Sequence, residues 1–274
     1  MFADLHLHST YSDGIDTPVE LCQLAKAHNI QVISITDHDS VEGHKALLHT
    51  QVPQGIEIIK GIELSTLKNH KMQHILGYYI DIFDKKLEDF IKKISAEITE
   101  STRLNFERAV NDGVFSYKWE RVLELNPTEL RMGGTRVLRA MDIDKYKMPG
   151  EARDMYRKYF IPTNADYIWH STITGYDAID IIKSVGGIPI IAHPKSIDDD
   201  DTVLDLIKYG AQGLEVYHPT HNNEDVAKYL QMAVDHKLYI SGGSDWHGKD
   251  VVTGREMGRT GLEHGDYDIL KLRF

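Results

Sequence analysis

Seven stretches of this chain bring imidazole and carboxylate side chains close together: His6, His8 and Asp13; Asp37, His38 and Asp39; Glu63; His74; His193; Glu215, His218 and His221; and Asp245 with His247. Together these groups form the donor set of Zn, Mn and Fe(II), whereas Ca and Mg favour all-oxygen sites. Cys22 is the only cysteine, which excludes an internal disulfide framework and a thiolate-rich metal site. In D4-L-H-L-H-S-T-Y-S-D-G14, Asp4, His6 and His8 alternate with Leu5 and Leu7, so a strand here carries ionisable groups on one face and leucines on the other. Crowding so many ionisable groups is costly unless cations lie between them. The candidates exceed what one ion can bind, and the set suits two to three divalent ions, which activate a water and clamp phosphoryl oxygens.

The elements that must position these groups read as an α/β alternation. Strands are expected at 2–8, 32–36, 56–63, 74–80, 188–192, 213–217 and 238–242. Thr17-Pro-Val-Glu20 supplies an N-cap, a proline at the first helical position and a capping-box glutamate, which starts a helix running to about His28. Further helices are expected near 41–49, 176–184, 202–209 and 223–236, with the acidic run Asp198–Asp201 as a solvated turn leading into one of them. The runs 56–65 and 74–80 are joined by a polar stretch too short for a crossover helix, so they should form a hairpin. Nearly every cluster falls at the C-terminal end of a strand, where barrels of alternating strands and helices gather their loops. His74 starts its strand, and the hairpin would bring it beside Glu63.

Residues 84–165 break this rhythm. They are charged and helical in character, with turn signals at Asp112-Gly113 and Gly133-Gly134, and read as an inserted helical cap between barrel segments 1–83 and 166–274. A chain of 274 residues with net charge -11 can bury a full core, and its charge argues against a large nucleic-acid surface while leaving room for a small anionic substrate. No apolar run approaches membrane-spanning length and no signal pattern opens the chain, so a cytoplasmic location without membrane partners is expected.

D4-L-H-L-H-S, T36-D-H-D39, G61-I-E-L-S65, H74-I-L-G77, A192-H-P194 and G243-S-D-W-H247, in this order, strongly resemble the PHP (polymerase and histidinol phosphatase) family. The insertion, followed by A-H-P and G-L-E-V-Y-H-P-T-H221, looks most like its stand-alone branch of nucleotide phosphatases and short-RNA exonucleases, the trpH type. The resemblance implies a distorted TIM-like barrel of seven strands and a trinuclear metal centre. Its motifs assign His6, His8, Glu63 and Asp245 to one ion; Glu63, His74 and His193 to a second; and Asp13, His38 and His247 to a third. Asp4, Asp37 and Asp39 would orient imidazoles.

The implied reaction is phosphomonoester hydrolysis by a metal-bridging hydroxide. His218 is the candidate for protonating the departing oxygen, Asp37 is a second candidate catalytic group, and Asp13 and His38 are also counted as substrate contacts. In G133-G-T-R136 the family's pattern points to Arg136 as a substrate-phosphate contact, with Arg103 on the preceding helix as another. The expected substrate is a nucleoside 3′,5′-bisphosphate losing its 3′-phosphate, with short RNA trimmed from its 5′ end as a further activity. Histidinol phosphate, AMP and cyclic phosphates are the alternatives within the family, and a non-catalytic interaction module is the distant one.

Overall fold

All seven expected strands form: β1 (Ala3–Leu7), β2 (Val32–Ile35), β3 (Glu57–Lys68), β4 (Lys71–Tyr78), β5 (Ile188–Ile191), β6 (Gly213–Tyr217) and β7 (Tyr239–Gly242). The computed structural model describes residues 2–68, 71–126, 131–147, 152–161, 166–249 and 254–271. The strands make one sheet in sequence order. β1, β2 and β3 run parallel, β4 runs antiparallel to β5, and β5, β6 and β7 run parallel. A parallel bridge between Leu7 and Trp246, with His8 N–H donating to the Trp246 carbonyl at 2.8 Å, ties the first strand to the segment after the last. This nearly closes the sheet into a barrel.

β3 and β4 are longer than the sequence reading allowed. Residues 66–68 and 71–73 of the polar stretch extend the two strands, because Thr66 is β-branched and buried and its Oγ1 donates to the Gln73 carbonyl at 3.0 Å. The paired edges of this hairpin therefore reach well beyond Glu63 and His74.

Helices join the parallel strands, and their ends follow the expected capping chemistry. α1 (Pro18–Ala27) carries the Thr17/Glu20 capping box with Pro18 in its first turn. α2 is Glu42–Leu47. Among the later helices, α7 (Gly175–Ser184) and α9 (Asn223–His236) have the same reciprocal caps, from Thr174 with Asp177 and Asn222 with Asp225. Asp199 stands at the N-terminus of α8 (Asp200–Tyr209), so the acidic run begins a helix, where its charge suits the positive end of the dipole. α10 (His264–Lys271) follows the barrel.

The apolar faces of β1 serve two clusters. Leu7 packs with Leu21, Cys22 and Ala25 of α1 and with Ile33 and Ile35. Ala3 and Leu5 instead join Val32, Leu76, Tyr78, Ile190, Tyr267 and Leu270. The pairing of β1 with β2 shifts register between Asp4 and Leu7, which separates the two leucines expected to share one environment.

The chain divides into two compact units. The first spans Met1–Thr66, Gln73–Glu88 and Thr174–Phe274 and holds the barrel; the second spans Leu67–Met72 and Asp89–Ile173. Within the second, most of α3 (Lys85–Asn111) is joined by α4 (Trp119–Glu124), α5 (Gly134–Ile143) and α6 (Ala152–Tyr159), around Phe106, Phe115, Val137, Met141 and Tyr159. The insertion predicted over 84–165 includes residues 127–130, 148–151 and 162–165, which lie outside the described ones. Gly133, read as a turn, is the N-cap of α5.

One glycine sets how closely β1 approaches the segment after β7. A Cβ built on Gly243 would lie 2.4 Å from both the backbone nitrogen and the Cβ of His6. Gly243→Ala is therefore expected to displace His6 and to destabilise the protein by about 1–3 kcal/mol, as overpacking does. Denaturant unfolding alongside metal titration checks both effects, and a variant with wild-type values in both would show that β1 can yield at this point.

Candidate metal centre

Each turn of the barrel wall delivers ligand-type side chains to the same end. β1 supplies His6, with His8 just beyond it; the end of β2 supplies Asp37, His38 and Asp39; Glu63 lies within β3 and His74 within β4; His193 follows β5; Glu215 lies in β6 with His218 after it; Asp245 and His247 follow β7. Three of these residues sit at positive φ, Asp39 at 51°, His193 at 26° and Asp245 at 49°, a costly backbone for residues other than glycine that marks functional sites.

Glu63, 1 % exposed, is the common partner. Its Oε2 lies 3.2 Å from His6 Nε2, His8 Nε2 and His38 Nδ1, and its Oε1 lies 2.9 Å from His74 Nδ1 and 3.1 Å from His193 Nε2. Asp245 Oδ1 is 3.1 Å from His8 Nε2 and 3.5 Å from His6 Nε2. Asp13 Oδ1 is 3.3 Å from His247 Nε2, and its Oδ2 is 3.9 Å from His38 Nε2. Among the described residues, three donor groups fall out of this arrangement, each with its ligand atoms within 4.8 Å of one another: His6, His8 and Glu63; His38, Glu63 and His74; and His8, Asp13, His38 and His247.

The donor atoms fit divalent ions. His6 Nε2, His8 Nε2, His38 Nδ1, His74 Nε2, Asp13 Oδ1 and Glu63 Oε2 are buried and have no directed hydrogen bond, although several face one another at ion-pair distance. Buried lone pairs converging in this way are satisfied by cations. The electrostatics agree. Burial works against the charged forms of Glu63, Asp13 and Asp245, yet facing histidines, with Arg255 beside Asp245, hold all three carboxyls well below their usual range. For His8, burial is outweighed by Asp245, Glu63 and Asp13, which push the imidazole up to about 10. The carboxylates thus draw positive charge into the cluster, whether as protons on imidazole or as metal ions.

Around this cluster stands a layer of fixing contacts. Glu215, fully buried, was noted in sequence only as part of a cluster; its Oε1 is 2.8 Å from His6 Nδ1 and its Oε2 accepts from the His193 backbone N–H at 2.7 Å. It fixes which nitrogen of His6 faces Glu63 and braces the strained His193 at the same time. Asp37 accepts from Ser9 N–H (2.7 Å), Ser9 Oγ (2.6 Å) and Ser12 Oγ (2.7 Å), so both of its oxygens fix the loop that carries Asp13. Asp39 Oδ1 accepts from the Ser65 N–H at 2.8 Å. Burial raises the Asp4 carboxyl to about 7, while its Oδ1 accepts from the Ser244 N–H at 2.8 Å.

His218, Arg103 and Arg136 are engaged or buried within the protein. Thr220 N–H donates to His218 Nδ1 at 3.2 Å, so the ring proton sits on Nε2 and is given to Asp245 Oδ2 at 3.1 Å; both nitrogens of His218 are engaged within the protein. The Arg103 guanidinium is taken up by Glu100 (2.7 Å) and Glu107, one helical turn either side on α3. Arg136 on α5 is 4 % exposed. Arg255 was not anticipated: its Nη2 lies 2.7 Å from Asp245 Oδ2 and its Nη1 3.2 Å from His247 Nδ1.

Comparison with known proteins identifies the class. The PHP domain profile matches residues 4–164, more than half of the chain, and the chain belongs to the PHP family. It is 31% identical over 267 residues to the 3′,5′-nucleoside bisphosphate phosphatase of Chromobacterium violaceum, covering 94% of this chain and 90% of that protein. It is 29% identical over 257 residues to the phosphoribosyl 1,2-cyclic phosphate 1,2-diphosphodiesterase of Eggerthella lenta, covering 91% of this chain and 95% of that one. Among solved structures, a protein of Chromobacterium violaceum described as an amidohydrolase with bound sulfate superposes with a TM-score of 0.81 at 27% identity, covering 100% of this chain and 97% of the other.

Glu215 provides a test of the layer behind the ligands. Glu215→Gln keeps the shape but removes the charge on His6, and outer-shell changes of this kind weaken metal binding by roughly 10- to 100-fold. Chelator competition monitored by metal content should show that loss. The metal-loaded wild type should also melt at higher temperature than the chelator-treated protein, and the gap should narrow in the variant. An unchanged chelator half-life would remove Glu215 from the centre.

Proposed function

We propose that this chain is a metal-dependent phosphoesterase that removes a phosphate from a small nucleotide, most specifically the 3′-phosphate of a nucleoside 3′,5′-bisphosphate. The observation that carries the reading is the set of buried, unsatisfied imidazole and carboxylate atoms converging on Glu63, Asp245 and Asp13 in a chain of this family. His6, His8, Glu63 and Asp245 would hold one ion, Glu63, His74 and His193 a second, and Asp13, His38 and His247 a third. Divalent ions there supply Lewis acidity, activating water and offsetting the charge of phosphoryl oxygens. Mn, Zn and Fe all match the donor chemistry.

The chain's own residues prepare the site. Asp37, through Ser9 and Ser12, holds the loop that presents Asp13. His247 Nδ1–H donates to the Asp245 carbonyl at 2.8 Å, which leaves Nε2 as the free ligand atom. His218 fixes Asp245 Oδ2 and leaves Oδ1 towards His6 and His8. With both ring nitrogens engaged, His218 acts on Asp245 rather than on the departing oxygen.

The bisphosphate reading draws on the likeness to the Chromobacterium violaceum phosphatase. A second reading, hydrolysis of a cyclic phosphate, is favoured by comparable identity to the Eggerthella lenta diphosphodiesterase over nearly the whole length of both chains. A third relative, the 5′-3′ exoribonuclease Rnm of Salmonella typhimurium, is 29% identical over 254 residues, which places short 5′-phosphorylated RNA on the same substrate panel.

Hydrolysis with Mn or Zn, followed by identification of the products, should be fastest for a nucleoside 3′,5′-bisphosphate in a panel that includes a mononucleotide, a ribose 1,2-cyclic phosphate and 5′-phosphorylated short RNA. Preference for the cyclic substrate would replace the first reading, and no turnover on any member would end the phosphoesterase assignment. On the same assay, His218→Gln should slow nucleotide and aryl phosphates equally. A loss of about 100-fold or more confined to the nucleotide, whose leaving group needs a proton, would restore His218 as the acid.

A further inference from the structure

Arg255 places a permanent positive charge against a cluster whose donors call for cations. Its Nη2 lies 2.7 Å from Asp245 Oδ2, on the opposite side of the carboxylate from Oδ1, which faces His8 and His6. Its Nη1 lies 3.2 Å from His247 Nδ1. That nitrogen already donates to the Asp245 carbonyl, so the guanidinium is a close neighbour of His247 rather than a donor to it. The side chain is 21 % exposed, so it is not sealed beneath the ligands.

Arg255 and a metal ion would compete for the same charge. The guanidinium takes its counter-charge from Asp245, and a divalent ion on Oδ1 would draw on that charge as well. Loading the centre therefore leaves Arg255 short of negative charge, and the guanidinium in turn repels the ion. His218 already fixes Oδ2 at 3.1 Å, so the guanidinium is not required for that contact. The balance is restored when an anion arrives. A phosphoryl group carries the missing charge, and a planar guanidinium with several N–H donors meets its oxygens at more than one point.

We propose that Arg255 is a substrate-contacting residue that binds the phosphoryl oxygens of the anion seated at the metal cluster. The ligand class rests on the phosphoesterase reading above. Arg255 keeps its contact with Asp245 through one nitrogen and offers the remaining donors of the fork to the anion. The consequence is a division of labour: His218 positions Asp245, and Arg255 makes the loaded centre selective for a phosphate over a neutral ligand.

Arg255→Ala, Arg255→Gln and Arg255→Lys, each loaded with Mn or Zn, separate this role from metal retention. Three quantities are read in each: bound metal, the dissociation constant for inorganic phosphate by calorimetry, and KM against kcat on the best phosphomonoester. Metal content at the wild-type level, with phosphate binding weakened roughly 10- to 100-fold in the Ala and Gln variants and less in Lys, is the expected result, since hydrogen bonds to charged groups are worth that much. The KM should rise in parallel. Phosphate affinity within about twofold of wild type in all three would overturn the proposal, because a lost charge-assisted contact exceeds that. So would loss of bound metal that accounts for the whole fall in phosphate affinity, since Arg255 would then act through Asp245 alone. If the wild type turns over no phosphoester but binds phosphate in an Arg255-dependent way, the phosphoesterase reading fails while this one stands; turnover unaffected by any of the three variants gives the reverse.

Discussion

A single buried carboxylate sets the terms for this protein. Glu63 faces His6, His8 and His38 through one oxygen and His74 and His193 through the other, all within 2.9–3.2 Å. Five imidazoles around one carboxylate in a dry interior are unfavourable as bare groups, since burial penalises every charge and each proton repels its neighbours. Burial and the repulsion of His8 and His74 hold His38 well below its ordinary range, while Glu215, Glu63 and Asp245 overcome burial to hold His6 well above it. Divalent ions would resolve that conflict, because each takes lone pairs from several side chains at once. The barrel is what keeps the ligands together at an energy a flexible chain would not tolerate.

The scaffold achieves this by giving each side chain a separate strand and then fixing it from behind. Glu215 reaches two walls at once, His6 on β1 and the backbone after β5. Asp37 ties the end of β2 to the loop after β1, and Asp245 is braced by His218 and Arg255. Closely packed glycines let the walls approach: Gly61 and Gly243 each stand where a Cβ would collide with a neighbouring strand. Precision at the centre therefore depends on long-range contacts between elements far apart in sequence.

That dependence explains which parts were legible from sequence. The strands were readable because short β-branched runs between turn signals are local, and so were the capping boxes of α1 and the histidines spaced along β1. The fate of Arg103 was also written locally, since Glu100 and Glu107 stand three and four residues away on one helix face, the spacing at which ion pairs form. Glu215 and the register shift in β1 were not readable, because each is defined by a partner on another strand, and Arg255 was not because its partners Asp245 and His247 lie in the irregular segment after β7, where no helix or strand spacing relates them. Glu215 is 209 residues from His6, and nothing in its neighbours distinguishes it from a ligand. Its fully buried position behind His6, visible only in the fold, is what separates the two roles.

The backbone records the cost of the arrangement. His193 and Asp245 occupy positive φ, at about 1–3 kcal/mol each for residues with a Cβ. Glycine would remove that strain but also the imidazole and the carboxylate, so side-chain chemistry must outweigh it. Both strained residues are held by charge: the His193 N–H by Glu215, and Asp245 by His8, His218 and Arg255. Strain and charge are thus coupled, since the carboxylates that invite cations also keep the backbone in its unfavourable conformation. Weakening one hold should let the other relax, so the candidate metal centre and the strand ends that carry it are expected to form one cooperative unit rather than a rigid cup with removable contents.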